Sequence, residues 1–196
     1  MRRRLLLALP ALLAACGSTP TQVFTFSASE DRAPRPAPAG RTPLVHVDRA
    51  TVAEYFDRTQ MVTRIGAFRV SVHEFAVWSE PVADLISNAV VDDLARRFGD
   101  DRVLRTPRGR GGAADVRVEL DVLRLDVDEA GTATLDVRWS VVPMSGQPTQ
   151  RRERILATAA DPKDATSRVV ALRETLTRLS ATIADAIAAP RPATRP

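Results

Sequence analysis

The chain has 196 residues, 44% of them hydrophobic, with a formal charge of +4 and a pI near 10.4. That balance invites a polyanion-binding reading, but Arg2, Arg3 and Arg4 stand ahead of an apolar run, and residues 44–189 carry 20 basic against 22 acidic residues. Lys163 is the only lysine, so the high pI reflects arginine, which titrates above pH 12, and a basic nucleic-acid face is not indicated.

The first sixteen residues are Met-Arg-Arg-Arg, eleven mostly apolar residues from Leu5 to Ala15, then Cys16. A basic start before a short apolar run has the layout of a secretory signal, and the run is shorter than the roughly 20 residues of a spanning helix. Leu13-Ala14-Ala15-Cys16 resembles the bacterial lipobox, which implies lipidation of the Cys16 sulfur and cleavage between Ala15 and Cys16. The alternative is a signal peptide that happens to contain a cysteine. Because Cys16 is the only cysteine, no internal disulfide can form. Its covalent diacylglycerol and acyl chain, at about 0.8 kcal/mol per buried methylene, would make attachment effectively permanent. Gly17, where the enteric sorting rule places aspartate for inner-membrane retention, favours the outer membrane.

Residues 16–43 form the lipidated N-terminus and a spacer, in which Pro34, Pro36, Pro38 and Pro43 favour extended geometry. Within it, Val23-Phe24-Thr25-Phe26 alternates like a short edge strand. A single domain over 44–189 follows. Leu44–Val47 is expected as a strand, and Gln60–Ile65 with Phe68–Val72 as a hairpin turning at Gly66. Ser79 is expected to cap a helix with Pro81 in its first turn, an apolar stripe of Val82, Leu85, Ile86, Ala89, Val90, Leu94 and Phe98, and a stop at Gly99. Val116, Val118, Leu120 and Val122 then alternate with polar residues, but the apolar parity changes at Leu123, Leu125 and Val127, which predicts a β-bulge near Val122 and Leu123. A turn at 128–131, a strand through Leu135, Val137, Trp139 and Val141, and a third strand near 151–159 complete a meander. Asp161-Pro162 repeats the cap signal before a long helix with Leu172, Leu176, Leu179, Ile183 and Ile187 on one side. The fold class is α+β: an antiparallel-rich twisted sheet with two helices packed on one face, a two-layer sandwich. Residues 190–196, with three prolines, read as a disordered tail.

Catalytic patterns are sparse. His46 and His73 are the only histidines and form no close ligand pair, so no metal site is expected. There is no G-x-S-x-G elbow or phosphate-binding loop signature, and a lipidated cysteine is no nucleophile. The sequence is therefore not expected to encode an enzyme or bind a dissociable cofactor. Arg105-Thr-Pro-Arg-Gly-Arg-Gly-Gly112 reads as a flexible connection, with contact to lipid headgroups or a partner as the alternative. Trp139 shares the parity of Leu135 and Val137 and is expected in the core. Trp78 stands before a helix, where it staples the first turn or, alternatively, serves as an exposed partner anchor.

Two segments carry a resemblance. Glu54-Tyr55-Phe56-Asp57-Arg58-Thr59-Gln60-Met61-Val62-Thr63-Arg64 and Glu74-Phe75-Ala76-Val77-Trp78-Ser79-Glu80-Pro81 are similar to the Tyr-x-Asp-Arg…Gln-aliphatic-Val and Phe-x-x-Trp-x-Glu-Pro segments of the PqiC-type auxiliary lipoproteins of ABC-type and MCE transport systems. Val52-Ala53-Glu54 departs from the family's proline-led strand. The resemblance covers about residues 20–188. It implies an outer-membrane lipoprotein facing the periplasm, working beside a tube-forming MCE-type periplasmic protein and an inner-membrane transport component, with a homo-oligomeric ring as one arrangement. Tyr55, Asp57, Arg58, Gln60 and Trp78 are the candidate partner-binding residues. A periplasmic carrier of lipid or a small ligand is the alternative function.

Overall fold

The computed structural model describes residues 19–27, 42–105 and 114–189. The signal segment, Cys16, most of the spacer, residues 106–113 and the 190–196 tail lie outside the described residues. One mixed sheet and two helices make up the α+β fold. The strands are β1 (Gln22–Phe24), β2 (Val45–Val47), β3 (Thr51–Val52), β4 (Gln60–Ile65), β5 (Arg69–Trp78), β6 (Val103–Arg105), β7 (Val116–Asp128), β8 (Thr132–Pro143) and β9 (Thr149–Thr158). The helices are α1 (Val82–Phe98) and α2 (Ala165–Ala188).

Strand β7 is the axis of the sheet. Along one side it pairs antiparallel with β8, which pairs antiparallel with β9. Its other side is shared end to end by three parallel partners: β2 against Val116–Val118, β3 against Asp121 and Val122, and β4 against Val127 and Asp128. From β4 the sheet continues through antiparallel β5 to parallel β1, and from β2 to parallel β6. Most paired residues are antiparallel, as expected. The parallel contacts, and the short strands β3 and β6, were not anticipated, because two or three residues carry no readable periodicity.

The predicted bulge is present: Val122 faces Val137 and Arg124 faces Asp136, leaving Leu123 as the extra residue. The extra residue switches parity, so Val116, Val118, Leu120, Val122, Leu125 and Val127 are all buried. They share one core with the stripes of both helices. Leu85, Ile86 and Leu94 from α1 and Leu176, Leu179 and Ile183 from α2 are almost wholly inaccessible, each contributing about 1.5–3 kcal/mol by burial. Trp139 is buried as expected, with the Arg151 guanidinium 5.9 Å from its ring centre.

Both helix starts fall later than the sequence reading placed them. Pro81, at φ −52° and ψ 135°, is the extended N-cap of α1 and not part of its first turn; it has no side-chain oxygen, and its carbonyl accepts from Asp84 N at 2.8 Å. Ser79 is not the cap: its N–H donates to Phe24 O at 2.8 Å, tying β1 to the helix entry. In α2 the cap is Asp164, whose Oδ2 accepts from Ser167 N at 2.7 Å. Asp161 instead accepts from Lys163 N and closes the preceding turn. Gly99 ends α1 as predicted, with φ 103° and its N–H on Ala95 O.

Gly131 turns β7 into β8 at φ 84°, and a Cβ there would meet Pro162 Cβ at 2.9 Å. Gly66, at φ 61° in the β4–β5 turn, has open space around it. Gly66→Ala is expected to cost about 1–2 kcal/mol from the left-handed backbone alone. Gly131→Ala should cost more, because the clash adds to the backbone term; urea unfolding of the two variants checks the order.

Candidate functional site

With both helices on one side, the other side of the sheet is the open face. Register places Glu119, Asp121, Arg124 and Asp126 of β7 there, beside Ser140, Arg138, Asp136 and Thr134 of β8. Asp126 is the centre of this face and its side chain is fully inaccessible. Tyr55 OH donates to Asp126 Oδ2 at 2.8 Å, and Arg64 donates to the same oxygen through Nε at 2.9 Å. Arg124 donates to Oδ1 through Nε at 2.9 Å. One buried carboxylate thus gathers a phenol and two guanidinium groups. The Arg64 guanidinium also lies 5.4 Å from the Tyr55 ring centre.

Burial first, then the Asp126 carboxylate, push the Tyr55 phenol up to about 12. It therefore stays protonated and acts as a donor, which suits a structural clamp and not a base or nucleophile. The clamp fixes the turn at 53–59, where Phe56 is buried and edge-on to Tyr55 at 4.9 Å, while Asp57, Arg58 and Thr59 are exposed.

The two family-like segments meet here. Trp78 N–H donates to Thr59 O at 2.7 Å, and Gln60 pairs with Val77. Trp78 is buried, with its ring centre 5.0 Å from that of Phe26, an aromatic residue delivered from beyond β1. Of the five candidate residues, Asp57 and Arg58 are presented to solvent, Tyr55 and Gln60 are half-buried, and Trp78 is buried. Asp126 and Arg124 went unnamed in the sequence reading; the parity change at Leu123 is the signal that puts them on the open face.

Further along this face, Asp136 takes Arg152 at 2.9 Å and Arg154 at 3.1 Å. Arg152 chiefly, against the opposing effect of burial, and then Arg154 hold its carboxyl below the usual range. A groove of about 620 Å³ adjoins them, lined in part by Asp48, Thr51, Glu119, Asp121, Arg138 and Arg152. Its carboxylates find partners within the face: Asp121 accepts from Thr51 at 2.8 Å and lies 3.5 Å from Arg138, and Glu119 accepts from Ser140 at 2.6 Å. Asp48 Oδ1 is buried without a hydrogen-bond partner. Arg105 belongs to β6 and reaches Asp84 of α1 at 2.5 Å; the rest of the glycine-arginine run lies outside the described residues. Among the described residues no group of three metal-ligating side chains occurs, and no helix is long and apolar enough to cross a membrane.

A model of the ABC-type transport auxiliary lipoprotein component matches residues 24–184. The chain belongs to this family. The match runs from β1, through the Tyr55–Asp126 clamp, into the last turns of α2. No curated protein matches the sequence. Two solved structures share the fold: one described only as an uncharacterized protein, with TM-score 0.70 and 15% identity over 86% of this chain and 99% of that one, and a protein from Xanthomonas campestris, with TM-score 0.64 and 17% identity over 84% and 93%.

On the helix side, His73 Nε2 lies 2.6 Å from Thr63 Oγ1 and accepts from Arg168 at 3.2 Å, so its proton sits on Nδ1. Burial first and the Arg168 charge second push His73 below its ordinary 6.5. The unfolded chain takes up a proton near 6.5 while the folded chain resists it. Stability should therefore fall as pH drops through 6.5 and level off once folded His73 also titrates. His73→Gln should flatten that part of a Tm-against-pH curve. At the clamp, Asp126→Asn is expected to cost about 3–5 kcal/mol by stranding two guanidinium groups, and Tyr55→Phe about 1–3 kcal/mol by removing one donor from a buried oxygen; denaturant unfolding measures both.

Proposed function

We propose that this lipoprotein is the periplasm-facing auxiliary subunit of an MCE-type transport system, held on the outer membrane by acyl chains on Cys16. It docks a periplasmic MCE-type protein that reaches across from an inner-membrane component, and so supports lipid traffic between the membranes and envelope integrity. The family match over residues 24–184, behind a lipobox ending at Cys16, carries this reading. The domain's charge clusters are closed upon themselves, as suits a scaffold that binds a macromolecule by shape. The Tyr55 clamp and the Trp78–Thr59 bond hold the exposed Asp57-Arg58 turn in place, and that turn is the proposed docking element. A ring of several copies would present several such turns at once and multiply weak contacts by effective concentration.

The carrier alternative draws on the open-face groove, whose volume lies within the range of small-ligand sites and whose Asp48 Oδ1 lacks a partner. The layer between sheet and helices, where such a carrier could keep a lipid pocket, holds packed side chains, among them Leu135, Val137, Leu176 and Ile183.

Cys16→Ala is expected to move the protein from the membrane fraction to the soluble periplasmic fraction; persistent tight membrane association would count against the anchor. Photo-crosslinkers at Asp57 and Arg58 in cells should capture an MCE-type protein, and capture at Met144, at the far end of the sheet, should be several-fold weaker. Equal capture at all three positions would remove the docking turn from the proposal. A stoichiometric lipid or metabolite found by mass spectrometry on the intact protein would favour the carrier.

A further inference from the structure

The open face is not charged throughout. Register puts Val23 of β1, Val77, Val72 and Val70 of β5, and Val62 of β4 on this side, so its β1–β5 corner is apolar beside the arginine-carboxylate band. Val23 is 65% exposed and Val72 43%. Phe75 is also exposed, and Phe68, next to the Gly66 turn, is fully so. Arg69 follows Phe68 at the hairpin tip and has no carboxylate partner among the described residues. Soluble domains seldom leave aromatic and aliphatic side chains gathered in this way without something to cover them.

The path of the chain says what covers them. Strand β1 runs parallel to β5 with Gln22 opposite Ala76, so tracing back from Gln22 leads toward the start of β5 and the Phe68 tip. Five residues, 17–21, separate Gln22 from Cys16. Six peptide steps reach at most about 20–22 Å, enough to run back to the start of β5, because the stretch from Val72 to Val77 faces only Val62 to Gln60 of β4. The distance from Cys16 to the sheet is therefore set by residues 17–21 and not by the whole segment up to residue 43. With β1 paired to β5 and Phe26 buried, only residues 17–21 stand between Cys16 and the sheet.

We propose that this corner, with Val23, Val72, Phe75 and the Phe68 tip, rests in the headgroup region of the bilayer that holds the acyl chains. The inference depends on the lipid-anchor reading of Cys16. A tether this short keeps the corner within reach of the membrane at high effective concentration, so even a weak apolar contact is occupied most of the time. The Phe68 ring enters the acyl boundary, as apolar side chains of interfacial segments do to a depth of about 5–10 Å. Arg69 extends its aliphatic stem alongside and places its guanidinium among lipid phosphates. This contact orients the domain, with the β4–β5 tip toward the bilayer and the β8–β9 turn, which carries Met144, away from it. A second copy of the chain or a protein partner on the same corner are the competing occupants.

The test uses the full lipidated protein in phosphatidylethanolamine–phosphatidylglycerol vesicles, with an environment-sensitive fluorophore on Phe68→Cys, Val72→Cys or Met144→Cys. Cys16 is blocked by its lipid, so each label is unique. Brominated acyl chains should quench the labels at 68 and 72 by roughly twofold or more and leave the label at 144 nearly unchanged. Equal quenching at all three positions overturns the proposal. So does a label at 68 that is shielded in detergent and indifferent to brominated lipid, which would mark a contact between copies. If the unlabelled protein does not float with vesicles, the anchor reading fails and takes this inference with it. If it floats and position 68 stays unquenched, the anchor stands and the resting face alone is wrong.

Discussion

The bulge at Leu123 is the constraint on which the rest of the molecule depends. A strand as long as β7 has to keep one face on the core along its full length, and a regular strand that kept Val116 to Val122 inward would point Leu125 and Val127 to solvent and Arg124 and Asp126 into the core. One extra residue resolves this conflict. It lets the first half of β7 support β2 and β3 while the second half supports β4, and it turns Asp126 to the side where Tyr55, Arg64 and Arg124 can reach it. Core, sheet order and clamp follow from the same backbone event.

Arginine is the second theme. Carboxylates here repeatedly take two guanidinium groups: Asp126 takes Arg64 and Arg124, Asp136 takes Arg152 and Arg154, Asp84 takes Arg49 and Arg105, and Asp93 takes Arg96 and Arg173. Several of these join separate elements; Arg173 of α2 reaches both Asp93 of α1 and the Phe26 carbonyl. The planar fork of arginine suits such bridges where lysine would not, which accounts for a high pI on a nearly neutral domain. The half-exposed pairs add little stability individually. The buried Asp126 cluster acts differently, because a register slip that separated its members would leave charge without solvent.

Much of this was readable in the chain itself wherever the signal is local and repeated. The stripes of α1 and α2, the turns at Gly66 and Gly131, the bulge and the β7–β9 meander all announce themselves through spacing. Helix caps were less legible, because Asp161 and Asp164 offer the same chemistry three residues apart and only the fold decides between them. The clamp was not legible as a unit: Tyr55 and Asp126 are 71 residues apart, and no local pattern couples them. Tyr55 and Trp78 were noticed as residues, but the engagement of one with Asp126 and the burial of the other depend on pairings between distant strands. The parallel seating of β2, β3 and β4 on β7 is equally nonlocal, since each contributes only two or three residues to the contact.

The seating of β1 has a consequence for the order of assembly. The segment that leads into the sheet is held by β5 along its length, by Ser79 N–H on the Phe24 carbonyl and by Arg173 on the Phe26 carbonyl. Those partners lie from about 50 to almost 150 residues downstream, and the last of them stands on α2. A chain made from its N-terminus presents this segment early, yet the contact from Arg173 waits until α2 has been added. A strand that emerges early is thus completed late, and its edge and the Phe26 side chain stay uncovered until the downstream partners are in place.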